Sequence, residues 1–118
     1  MKYYFVFLVV LASFSSCYYD VEEELYQTNC DVDSISYSRD VVPIITNYCI
    51  SCHSEALVLG GINLSNYEKV IVYINNGSFQ GSIKHQGVFT PMPQNQAKLS
   101  KCDISKVETW VANGAPNN

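Results

Sequence analysis

The sequence predicts a small all-α domain. Apolar side chains recur at helical spacing in three stretches, near residues 37–48, 65–74 and 101–113. No stretch alternates apolar and polar residues well enough to suggest a sheet. Once a short apolar leader is set aside, the 102 residues that remain amount to one small domain and a tether.

The leader consists of Lys2, an apolar run of about ten residues from Tyr3 to Ala12, and the small-residue-rich Ser13-Phe14-Ser15-Ser16 before Cys17. This is the layout of a secretory signal, and it is shorter than the roughly 20 residues that span a bilayer. Export is therefore expected, with residues 1–16 removed, 17–35 forming an acidic tether and N-terminal arm, and 36–118 forming the domain. Small residues directly before a cysteine resemble the lipobox of bacterial lipoproteins, with Phe14 and Ser16 where Leu and Gly or Ala are usual. Cleavage there leaves Cys17 as an acylated N-terminus, anchoring the chain to a membrane and facing the periplasm or the cell surface. Ordinary cleavage near Ser15 is the alternative. The acidic run Asp20, Glu22, Glu23, Glu24 is similar to that of Bacteroidota lipoproteins, and also reads as a solvated tether.

Charge narrows the partners. Removing the leader takes away Lys2 and no acid, so the net charge moves from −4 to −5. Such a chain is not expected to bind nucleic acid through phosphate contacts, and a redox partner with a basic docking face would suit it.

In the first helix Val41, Ile44, Ile45 and Tyr48 share one face, Ser36 or Ser38 is available as N-cap, and Pro43 falls near the first turns, where a missing N–H is tolerated. This helix leads into Cys49-Ile50-Ser51-Cys52-His53, a C-x-x-C-H run, the attachment pattern of a c-type haem. Two thiols at this spacing can each add to a vinyl group of the porphyrin, and the next residue offers an imidazole nitrogen to the iron. Two other readings compete. A redox dithiol belongs at a strand-to-helix junction, whereas the residues before Cys49 read as helix. Structural zinc needs a fourth ligand, for which His85 is the one obvious donor outside the cluster.

Beyond His53 the Gly60-Gly61 pair reads as a turn, able to take positive φ or to approach a macrocycle closely. Ser65-Asn66-Tyr67-Glu68 reads as a capping box opening a helix that runs to about Ile74, buries Val70, Ile71 and Ile74, and stops at Asn75-Asn76-Gly77. A loop of about 25 residues leads to the last helix and contains Thr90-Pro91-Met92-Pro93. Met92, the only methionine besides Met1, lies 39 residues beyond His53 between two prolines that stiffen the backbone. Its thioether is a soft ligand suited to haem iron, and a His/Met pair raises the reduction potential. Filling of an apolar gap by Met92, ligation by His85 instead, and an open sixth position are the alternatives. The last helix is expected from Lys101 to Asn113, with Ser100 as N-cap, Asp103 at N3, and Gly114 and Pro116 as the stop. Ile104, Val107 and Val111 form its buried stripe, and Trp110 beside them reads as core or as a contact to the haem.

Five cysteines is an odd number in a chain expected to be exported. With Cys17 lipidated and Cys49 and Cys52 on haem, Cys30 and Cys102 remain as a disulfide pair that would close a loop of roughly 70 residues, worth about 2 to 4 kcal/mol. Two buried free thiols are the other possibility.

These residues together resemble a small monohaem cytochrome c of the class I type, particularly the lipoprotein-borne haem domains of Bacteroidota. The likeness rests on Val41-Val42-Pro43-Ile44-Ile45 ahead of Cys49 to His53, on Gly60-Gly61-Ile62-Asn63-Leu64, on Pro91-Met92-Pro93, and on Leu99-Ser100 through Trp110 to Gly114-Ala115-Pro116. It covers about residues 30–118. It implies a cytochrome c-like helical shell around one covalently attached haem c, first and last helices packed together, and electron transfer as the task. A carrier needs both axial positions filled, by His53 and Met92, and no further catalytic group. The alternative is a haem enzyme or gas sensor with an exchangeable sixth ligand and polar groups nearby.

Overall fold

The computed structural model describes residues 30–118. The leader 1–16, Cys17 and most of the tether 17–35 lie outside the described residues. Among the described residues the chain is helical, with no strand and no helix long and apolar enough to cross a membrane.

Helical structure begins with a wide π-type turn, Tyr37–Val41, and continues as α1, Val42–Tyr48. The spacing of apolar residues predicts one regular α-helix here, and Pro43 explains the difference. It has no N–H, and its ring crowds the carbonyl four residues back, so the turn opens and the Val42 N–H donates to the Tyr37 carbonyl. Ser36 is the cap: its hydroxyl accepts from the Arg39 N–H at 3.2 Å, and the Asp40 carboxylate accepts from the Ser36 N–H at 2.9 Å. Val41, Ile44 and Ile45 are buried as the pattern requires, whereas Tyr48 is exposed at the end of the stripe.

The chain bends at Cys49 (φ −118°, ψ −42°) into the single turn α2, Ile50–His53, and a 3-10 turn follows at Leu59–Gly61. Gly60 and Gly61 take φ of 66° and 76°, the left-handed conformation for which glycine is suited. The next helix, α3, is Tyr67–Asn75. Its cap is Asn66, whose side-chain oxygen accepts from the Lys69 N–H at 3.0 Å. The expected Ser65-to-Glu68 capping box does not form, because the Ser65 N–H is taken by the Asn63 side chain at 2.9 Å. Gly77 at φ 75° ends α3 and turns the chain directly into α4, Ser78–Ile83. That helix occupies part of what the sequence suggests is a loop.

The last helix, α5, is Lys101–Ala112, and it has the expected cap: Ser100 accepts from the Asp103 N–H at 3.0 Å and donates to the Asp103 carboxylate at 2.9 Å. Cys30 and Cys102 lie at disulfide-bonding distance (Cα–Cα 5.6 Å), which ties the N-terminal arm to the start of α5.

The core forms where the π-type turn, α3 and α5 meet. Tyr37 stacks on Trp110 at 5.3 Å between ring centroids, and Tyr67 meets Tyr37 edge-on at 5.2 Å. Val41, Val107 and Trp110 are 0 % exposed. The C-terminal tail lies across this joint. Trp110 Nε1–H donates to the Pro116 carbonyl, Tyr67 O–H to that of Ala115, and the N–H groups of Tyr37 and Ser38 to the side chain and carbonyl of Asn118, all at 2.8 to 2.9 Å. Trp110 is therefore core, and it is not among the residues that line the cleft beside His53.

Candidate functional site

Cys49, Cys52, His53 and Met92 line one cleft of about 670 Å³. That volume falls within the roughly 300 to 1,000 Å³ of small-molecule and cofactor sites. The first three arrive as a unit. Hydrogen bonds from the N–H groups of Cys52 (3.1 Å) and His53 (2.9 Å) to the Cys49 carbonyl wind the pentapeptide into one turn. The His53 carbonyl then accepts from the Leu64 N–H at 2.8 Å, anchoring that turn to the chain beyond the glycine pair. Met92 comes from the middle of the segment that joins α4 to α5.

The cleft lies between α1 and α2 on one side and α4 with its following loop on the other. Tyr73, Phe79, Ile83, Phe89 and Leu99 supply much of its apolar lining. Sequence reasoning missed these residues. Phe79 and Ile83 stand four apart directly after a helix-ending glycine, and that spacing was the available signal for α4. The polar lining comes from neutral groups such as Thr90, Gln94 and Gln96; no Asp, Glu, Lys or Arg takes part.

His53 is 9 % exposed, and its Nδ1 is buried with no hydrogen-bond partner. An unsatisfied buried ring nitrogen is costly, and here it belongs to an imidazole in the wall of a cleft that two thiols and a thioether also line. This donor set fits a haem: sulfur for covalent attachment, imidazole and thioether for the iron, and apolar walls for the macrocycle.

The competing readings fare worse. Among the described residues no three His, Cys, Asp or Glu side chains are grouped so as to hold a metal ion, so a zinc site lacks its ligands. His85 does not line the cleft. Cys49 and Cys52 are free thiols, and burial pushes the Cys49 thiol up to about 11, the opposite of the lowered value that activates a redox cysteine. At pH 8 a thiol held up to about 11 has roughly 100-fold less thiolate than an ordinary one. The greater nucleophilicity of a more basic thiolate recovers about half of that on a logarithmic scale. In the Cys52→Ala chain without haem, alkylation of Cys49 at pH 8 is therefore expected to run about tenfold slower than that of an unperturbed thiol. Mass spectrometry of timed samples measures this, and an ordinary rate would restore the dithiol reading.

No family model matches this chain, and no curated protein or solved structure does so either.

Proposed function

We propose that this chain is an exported monohaem electron carrier, a class I-type cytochrome c in which a helical shell holds one haem c. The observation that carries the reading is that Cys49, Cys52, His53 and Met92 share a single, largely apolar cleft, with the buried His53 Nδ1 lacking a hydrogen-bond partner.

Bound there, a haem supplies reversible one-electron exchange between its ferric and ferrous states. Cys49 and Cys52 would fasten it, each thiol S–H adding across a vinyl C=C to give a thioether with no atom lost. His53 and Met92 would supply the imidazole nitrogen and the thioether sulfur that hold the iron. The apolar part of the lining suits a macrocycle, and none of the residues lining the cleft is an Asp, Glu, Lys or Arg that could serve acid–base chemistry. A haem enzyme or gas sensor needs an open position with a polar group beside it; Thr90, Gln94 and Gln96 line the cleft, so that reading turns on whether Met92 fills the sixth position, whereas His85 is bound to backbone. Lipidation at Cys17 would keep the carrier on a membrane, facing the periplasm or the cell surface, where it meets redox partner proteins.

The test is covalency. The protein is produced in a periplasm together with haem-attachment machinery, denatured and extracted with acid-acetone. Pigment that stays with the protein, and is lost from the Cys49→Ala, Cys52→Ala double variant, is the expected result. Pigment in the solvent, or none at all, sinks the proposal.

A further inference from the structure

His85 stands apart from the cleft wall, yet its ring is tied to the residue that carries the sulfur. Its Nε2 lies 3.1 Å from the Met92 carbonyl oxygen. A carbonyl only accepts, so the proton sits on Nε2 and the imidazole is the donor. On the other side of the same residue, the Met92 N–H donates to the Ser82 carbonyl at 3.0 Å. That carbonyl, in the last turn of α4, also accepts from the His85 N–H at 3.2 Å. Both polar backbone groups of Met92 are therefore held from one helix end.

The backbone is arranged for this contact. His85 has φ 53°, a left-handed conformation unfavourable for a residue with a Cβ. The loop between the two hydrogen bonds is seated on α4 as well. Phe89 packs so tightly on Gly81 that a Cβ at position 81 would lie 2.1 Å from its ring. Pro91 and Pro93 flank Met92 and have no N–H, which leaves the flanking residues few ways of their own to fix the loop.

We propose that His85 is a positioning residue: it holds Met92 in the cleft for sulfur ligation and is not a substitute ligand. This rests on the haem reading. Without the His85 hydrogen bond the sulfur stays available, but the loop opens more often, and an added ligand competes for the iron more easily.

Three measurements test it. In nitrogen NMR of the unaltered protein His85 is expected to carry its proton on Nε2, and a proton on Nδ1 alone overturns the proposal. In the haem-loaded ferric protein, His85→Ala is expected to bind imidazole about five- to tenfold more tightly, the effect of losing one hydrogen bond. His85→Gln, whose amide can donate to the same carbonyl, should restore most of the original affinity. Unchanged imidazole affinity in His85→Ala overturns the proposal. So does a low-spin spectrum that survives Met92→Leu but is lost in His85→Ala, which would make His85 the ligand. A protein without covalent pigment defeats the haem reading and this proposal with it, and is recognised before any imidazole is added, so the two failures are distinguishable.

Discussion

Replacing Met92 with Leu is expected to turn the ferric protein from low-spin to high-spin, abolish the weak far-red band of sulfur ligation, and lower the reduction potential by about 0.1 V, a modest part of the roughly 0.8 V over which axial ligands act. Leu is the informative choice because it keeps the volume and apolar character of the side chain while removing the sulfur. If Met92 only fills a gap, Met92→Leu leaves absorption and potential unchanged. If it ligates, every property of the sulfur disappears while the fold stays intact. No other residue is placed to compensate: Met92 is the single thioether among the described residues, and the His85 ring is occupied by the Met92 carbonyl. Absorption spectra of both oxidation states and a redox titration decide between the outcomes.

The parts of the fold visible in the sequence are those set by neighbouring residues. The last helix is the clearest case, since Ser100, Asp103 and Gly114 form its start and stop within their own turns. The odd cysteine count pointed to Cys30 and Cys102, which the fold brings together across 72 residues. The apolar stripe of the first helix was legible as well, but not its π-type opening, because periodicity counts side chains and Pro43 acts through a missing backbone donor.

What depends on distant contacts was not legible. The need for a residue without a Cβ at position 81 shows only in the structure, where the Phe89 ring occupies the place a side chain would take. Likewise, His85 can be read from the sequence only as a possible ligand. Its bond to the Met92 carbonyl depends on a left-handed turn at His85 itself, and no spacing rule encodes one. The apolar lining of the cleft falls in the same class, because Tyr73, Phe79 and Leu99 come from three separate elements.

Trp110→Ala is expected to cost about 3 to 5 kcal/mol of stability, the range for emptying a fully buried aromatic site, while leaving the absorption spectrum of the folded protein unchanged. Three losses combine: the buried volume of a side chain that is 0 % exposed, its stacking on Tyr37, and the Nε1–H bond to the Pro116 carbonyl that pins the tail. Because the tail also accepts from Tyr67 and from the backbone at Tyr37 and Ser38, the π-type turn, α3 and α5 loosen together, so unfolding should remain one transition at lower denaturant. Trp110→Phe separates the contributions: it keeps most of the volume but leaves the Pro116 carbonyl without its partner, and should fall between the two. Denaturant midpoints of the three proteins measure the order. A cost below about 1 kcal/mol for Trp110→Ala, the scale of an ordinary substitution, would refute the assignment of Trp110 as the centre of the core. A shifted spectrum in the folded variant would instead place its indole against the haem.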